Sequence, residues 1–319
     1  MHLDGFAGHT DRVNVVAVCD PDQSRVAAVR EKYGVGEGYS SLVEMIESSD
    51  WDAAIVCTPT SVRENVVAEL AAAGKHMLVE KPMASTYQEA ERIVARCERA
   101  GVRLAVDQNF RYHYPFDLAR EQIKAGAIGT VANIVHRDLF FRQDKGWRTA
   151  EKRHGLAVMG IHWLDGLRWI LDRDAASVYA QMGSSGAIDC AGDTDSTVTV
   201  AFPNGAFGTY IQSFSSMIGA TETVVIGDKG VLTLDYERLA LYDRTRSAEP
   251  RATWENRYAG ANKPESSFAC LERLLASIET GAEPPNSGRD NLKTVALLEA
   301  AYRSAETAAP VRLENGLLS

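Results

Sequence analysis

Ala53-Ala54-Ile55-Val56-Cys57-Thr58-Pro59-Thr60, followed after one helical stretch by His76-Met77-Leu78-Val79-Glu80-Lys81-Pro82, decides the fold. Each is a short apolar run that stops at polar and proline residues, the pattern of a strand buried on both faces and ending in a turn. Between them Ser61 and Glu64 are spaced as a capping box and Gly74 supplies a helix stop, so the stretch reads strand, helix, parallel strand. Working outward, Val13-Asn14-Val15-Val16-Ala17-Val18-Cys19 before it and Arg103-Leu104-Ala105-Val106 after it have the same character. Ser41 with Glu44, and Thr86 with Glu89 ahead of Gly101, bracket two more helices. Residues 1–108 are therefore expected to form an α/β domain with a parallel sheet of at least four strands.

After Asn109 the pattern changes. A helix is expected over about residues 115–125 and a strand over 131–141, then an Arg/Lys/Trp-rich stretch and an apolar helix over 156–171. Across residues 177–242 alternating runs follow one another, with Pro203-Asn204-Gly205 and Gly227-Asp228-Lys229-Gly230 as hairpin turns. Helices over about 267–280 and 290–306 flank a Gly/Pro-rich loop. Residues 109–319 are thus expected to be an α+β domain with a largely antiparallel open sheet, one face covered by helices and the other available for self-association.

A chain of 319 residues exceeds one hydrophobic core, which agrees with two domains. The formal net charge of -9 leaves no basic excess for nucleic acid or anionic lipid. No apolar run reaches the roughly 18 residues that a membrane span needs, and Asp4 and His9 interrupt the N-terminus, so neither a signal peptide nor a membrane is expected. The expected location is the cytoplasm. The five cysteines are scattered without paired ligand spacing, which reads as free thiols and no metal.

Asp20 ends a buried strand ahead of Pro21. In a dinucleotide-binding unit such an acid accepts hydrogen bonds from the adenosine ribose and repels a 2′-phosphate, favouring NAD; Arg25 nearby keeps NADP open. The alternative is a plain cap for the next helix. A first strand with a Gly-x-Gly-x-x-Gly turn belongs before that strand and is not in the sequence, so the domain is expected to be N-terminally shortened, with Met1 to Phe6 suiting the helix after such a turn. Thr58-Pro59 and Glu80-Lys81-Pro82 leave strands at the carboxyl edge, where ligands sit in open α/β sheets. Lys81 has two readings, a solvated loop charge or a general acid/base; lowering a lysine from about 10.4 to about 7.5 corresponds to roughly 4 kcal/mol of differential solvation.

The run from Ala73 through Lys75, His76 and Glu80 to Pro82 resembles the signature of the glucose-fructose oxidoreductase / inositol dehydrogenase (Gfo/Idh/MocA) family. Further segments match in order: Asn109-Phe110-Arg111-Tyr112, Ala125-Gly126-Ala127-Ile128-Gly129, Gly160-Ile161-His162-Trp163-Leu164-Asp165, and Glu299 to Ala305. The resemblance covers nearly the whole chain. It implies an NAD(P)-dependent hydride transfer between nicotinamide and a hydroxyl carbon of a sugar or polyol, in a homodimer or homotetramer. Lys81 and His162 are then the catalytic residues. Asp20, Thr58, Pro59, Arg63, Glu80, Lys81 and Asn109 are expected to bind cofactor, and Lys81, Arg111, Tyr112, Trp147, Arg148, His162 and Asp165 to bind substrate.

The sequence departs from the family pattern at two points. The carboxylate that many polyol dehydrogenases carry one turn before the histidine is Val158, and a position that often holds histidine is Arg63. Asp165 either orients the His162 imidazole or anchors its helix; the basic stretch around Trp147 and Arg148 either grips substrate or is a solvated loop. Two other functions stay open: a sugar hydrolase or lyase working through transient oxidation by bound NAD, and a non-catalytic sensor.

Overall fold

The computed structural model describes residues 1–245, 249–258, 260 and 262–318; the side chain of Trp147 lies outside the described set. The first half runs α1 (His2–Phe6), β1 (Ala17–Cys19), α2 (Gln23–Tyr33), β2 (Glu37–Tyr39), α3 (Leu42–Ser48), β3 (Ala53–Val56), α4 (Thr60–Ala72), β4 (His76–Val79), α5 (Tyr87–Ala100) and β5 (Leu104–Val106). All of its strand pairs are parallel, as strands joined by crossover helices must be. They form two sheets, β1–β2 and β3–β4–β5.

Local chemistry explains the element ends. The Ser41 and Thr86 hydroxyls accept the Glu44 and Glu89 amides, capping α3 and α5. Gly101 ends α5 in the left-handed region at φ 69°. Ser61 does not cap α4, contrary to the capping-box spacing: the helix starts at Thr60 directly behind Pro59, with no side-chain cap. The apolar run at 13–19 yields only the three-residue β1, and β2 forms from Glu37-Gly38-Tyr39, which carries no strand signal of its own. Packing overrides propensity there. A Cβ at Gly38 would lie 2.5 Å from Val26 and 2.6 Å from Arg30, so only glycine lets β2 approach α2 this closely.

The second half continues with α6 (Tyr114–Lys124), β6 (Val131–Phe141), α7 (Ile161–Leu171), β7 (Ser177–Gly183), β8 (Asp195–Ala201), β9 (Phe207–Ser213), β10 (Ser215–Gly227), β11 (Gly230–Leu234), β12 (Arg238–Asp243), β13 (Ala252–Glu255), α8 (Asn262–Thr280), α9 (Gly288–Thr307) and β14 (Val311–Arg312). The strands make one nine-stranded sheet, β13-β12-β11-β10-β6-β9-β8-β7-β14, antiparallel except where β6 meets β9. The expected helix over 156–171 is a π-turn at Leu156–Gly160 leading into α7.

Two compact units result: Met1–Gln108 with Lys263–Asp290, and Asn109–Asn262 with Asn291–Ser319. Nearly all of α8 and the loop after it belong to the first unit. The reason is polar: Ser267 donates to Asp107, Asn286 donates to the Val106 carbonyl, and the Val106 amide donates back to Asn286.

In the second unit the register separates the two sheet faces. Ala180, Val198, Tyr210, His136, Thr223 and Leu234 form a buried cross-strand row, while the neighbouring row of Tyr179, Thr199, Thr209, Val135, Val224 and Thr233 is half-buried or exposed. Trp163 of α7 covers the buried row by stacking on His136 with ring centroids 3.6 Å apart, and its indole N–H donates to Asp138. No helix among the described residues is long and apolar enough to cross a membrane.

Burial alone pushes the His136 imidazole down to about 3, so it is neutral in the fold. The unfolded chain, with an ordinary value near 6.5, binds the extra proton between these limits. His136 therefore adds stability above about pH 6.5 that is lost as pH falls toward 3, at ~1.4 kcal/mol per pH unit. Urea unfolding of the second unit followed by tryptophan emission from pH 4 to 7 should show that slope shrinking by about this amount in His136→Phe; an unchanged slope contradicts a neutral buried imidazole.

Candidate active site

Parallel register brings three strand ends level. Val56 of β3 pairs with Val79 of β4, which pairs with Val106 of β5, so the next residues, Cys57, Glu80 and Asp107, stand abreast at the carboxyl edge. His2 of α1 reaches this row: its Nε2 lies 2.9 Å from Glu80 Oε1 and 3.6 Å from Asp107 Oδ2. Burial works against charge on His2, but hydrogen bonds to Cys57 and Glu80 and the charge of Asp107 prevail and raise its pKa. Burial also opposes ionisation of Glu80, yet contact with His2 and the charges of Lys81 and Arg63 hold its carboxyl below the usual range. Asp107, fully buried and beside Glu80, is pushed up.

Arg63 locks the turns beyond these strands. Its guanidinium is 3% exposed and donates to the carbonyls of Glu80 (2.6 Å), Pro82 and Thr58. Burial lowers its pKa to about 10, which leaves it charged at neutral pH. Nη1 serves the carbonyls on both sides of Lys81, and Nη2 serves that of Thr58. The Lys81 amide donates to Glu80 Oε2 at 3.1 Å, and the Lys81-Pro82 peptide is cis. Lys81 itself is half-buried.

The remaining first-unit residues suit a dinucleotide. Asp20, half-buried just beyond β1, accepts the Asp22 amide and lies 3.8 Å from Arg25, while Asp22 rather than Asp20 caps α2. Thr58 Oγ1 is buried without a partner among the described residues, next to exposed Pro59 and the start of α4. An orphaned hydroxyl at the carboxyl edge and a strand-end carboxylate are polar groups that NAD would satisfy.

In the second unit Asn109, Arg111 and Tyr112 share the buried 3-10 turn Asn109–Tyr112. Arg111 grips Asp165 of α7 through two hydrogen bonds of 2.5 Å, with the two residues 2% and 1% exposed. Thr294 donates to the same carboxylate at 2.6 Å, and Arg168 lies 3.7 Å away. Arg111 and Asp165 thus form an internal pair that ties the turn to α7. His162 stacks on Phe110 with centroids 4.0 Å apart and is 5% exposed. Tyr112 sits edge-on to Trp169. Arg148 is exposed in a 3-10 turn; Trp147 is outside the described side chains. Val158 is half-buried in the π-turn.

Sequence reasoning missed His2, Cys57 and Asp107. The last two were detectable as the first residues past buried strands; His2 reaches them only through the placement of α1.

A parallel unit with polar groups at the carboxyl ends of its strands is the arrangement in which open α/β folds bind dinucleotides. Residues 1–108 match the oxidoreductase family model with the NAD-binding Rossmann fold, and residues 116–233 match the GFO/IDH/MocA C-terminal domain. The chain is 30% identical to D-apiose dehydrogenase of Paraburkholderia graminis, covering 96% of this chain and 84% of that protein. It is 28% identical to myo-inositol 2-dehydrogenase of Thermotoga maritima, covering 96% and 92%. An oxidoreductase from Agrobacterium radiobacter, solved with NAD+, L-tartaric acid and magnesium, has a TM-score of 0.87 at 25% identity over 97% of this chain and 94% of its own. The chain belongs to the GFO/IDH/MocA family of NAD-binding oxidoreductases.

Removing Arg111 would leave the buried Asp165 side chain without its two-bond partner, beside Thr294 and with Arg168 3.7 Å away. Arg111→Ala should destabilise the second unit by about 3–5 kcal/mol, and the paired change Arg111→Met with Asp165→Leu should recover much of that loss, measured by chemical denaturation. A loss below about 1 kcal/mol in the single variant would show that the pair does not anchor the turn.

Proposed function

We propose that this enzyme interconverts a secondary alcohol and a ketone, or a lactol and a lactone, on a sugar, polyol or related compound. The observation that carries this reading is the Arg63 clamp: by holding the carbonyls of Glu80 and Pro82 it fixes the backbone on both sides of Lys81. A proton-transfer group needs a fixed origin, and the lysine side chain extends from one. Bound NAD would supply the hydride acceptor for oxidation, and its reduced form the donor for reduction. Lys81 removes the hydroxyl proton on oxidation and restores it on reduction. His162 hydrogen-bonds the reacting oxygen, a role given by family resemblance.

Asp20 binds the adenosine ribose, and Thr58, Pro59, Glu80 and Asn109 contribute to the cofactor site. Tyr112, Trp147 and Arg148 contact substrate, while Arg63, Arg111 and Asp165 act as positioning residues. Relatives named for apiose and inositol support a substrate among small polyhydroxylated compounds. The protein works in the cytoplasm as a homodimer or homotetramer that covers the open sheet face, where Tyr179, Phe207 and Ile211 are more than a third exposed.

Lys81→Ala should lower kcat at least a hundredfold while NADH binding, followed by nicotinamide fluorescence, persists. A panel of pentoses and inositols supplies the substrate; wild-type turnover in the variant would sink the assignment. Sugar cleavage without net change in nicotinamide absorbance would instead favour the hydrolase or lyase chemistry. Asp20→Ser should narrow the preference for NAD over NADP by tenfold or more in kcat/KM, and an unchanged ratio would remove Asp20 from the ribose site.

A further inference from the structure

His2, Cys57 and Glu80 place an imidazole nitrogen, a thiol sulfur and a carboxylate oxygen within 4.8 Å of one another. We propose that these three side chains form, in the cofactor-free chain, a binding site for a borderline divalent cation of the zinc class, which shares Glu80 with the proposed cofactor site. The three residues are far apart in sequence, which is why ligand spacing does not disclose the site. The fold supplies the geometry instead: register sets Cys57 and Glu80 side by side at the ends of β3 and β4, and α1 carries His2 over them.

The donor set selects the metal. Hard cations such as magnesium and calcium take oxygen shells, whereas one thiolate, one imidazole and one carboxylate suit zinc. Bond lengths of about 2.3 Å to sulfur and about 2.0–2.1 Å to nitrogen and oxygen put tetrahedral ligand atoms roughly 3.3–3.6 Å apart. The His2–Glu80 separation of 2.9 Å therefore has to open by only about half an ångström. Because ligands must be deprotonated, cation binding releases the protons of the Cys57 thiol and the His2 imidazolium to solvent and breaks the hydrogen bond between His2 and Glu80. Cys57 is exposed and the His2 and Glu80 side chains are 12% and 22% exposed, so the site has an entry path and a fourth position open to water. Three protein ligands and one exchangeable position make an open zinc site, not a closed structural one.

The test uses the full chain stripped with chelator and titrated with zinc sulfate alone against a chromophoric competitor. One equivalent should bind; cobalt(II) in its place should show sulfur-to-metal charge-transfer absorption, and X-ray absorption of the zinc form should show one sulfur at about 2.3 Å. Cys57→Ser should abolish the cobalt band and weaken zinc binding at least a hundredfold. His2→Gln should weaken it at least tenfold, with circular dichroism checking that each variant is folded. Absence of stoichiometric binding, a shell without sulfur, or zinc affinity unchanged in folded Cys57→Ser would overturn the proposal.

Discussion

Backbone hydrogen bonding between β3, β4 and β5 fixes where the chemistry of the first unit lies. Because the ladder pairs Val56 with Val79 and Val79 with Val106, the residue that follows each valine is level with its neighbours. A slip of one residue would turn Cys57, Glu80 and Asp107 to the opposite faces of their strands and bury polar groups in the core. Met77, Leu78 and Val79 have no exposed surface, so the apolar core enforces the register that the edge exploits. Arg63 then converts a strand edge into a fixed turn.

The second unit solves a related problem differently. Its turn at Asn109–Tyr112 holds no long apolar run, and its position comes from the Arg111–Asp165 fork, with Thr294 completing the carboxylate. A buried ion pair is a weak source of net stability, because desolvation offsets most of the attraction. Its directional bonds still fix one arrangement of turn and helix.

Much of this was legible in the sequence. Buried β-branched runs with helix caps disclosed the parallel strands, and alternation with glycine turns disclosed the antiparallel sheet. Lys81 was visible because it leaves a strand that hydrophobicity alone identifies. What stayed hidden depends on long-range placement. That the Arg63 guanidinium meets backbone carbonyls and the Arg111 guanidinium a buried acid is set by long-range placement, which sequence does not disclose. Glu37-Gly38-Tyr39 becomes a strand only through its neighbour, and α8 and the loop after it join the first unit through hydrogen bonds of Ser267 to Asp107 and of Asn286 to Val106 that no periodicity encodes.

The order of the nine-stranded sheet bears on how it assembles. β7 to β9 and β10 to β13 are two runs of sequence neighbours, and each pairs locally. They are consecutive in the chain, joined only by Phe214, yet β6 lies between them and accounts for both central ladders. The Phe214 carbonyl accepts the Arg142 amide just past the end of β6, so the connection crosses over that strand. Closing the loop from β6 to β9 costs chain entropy that neither local run incurs. β6 is the keystone: the two flanking meanders become one sheet only when an early segment of the chain is threaded between two later ones.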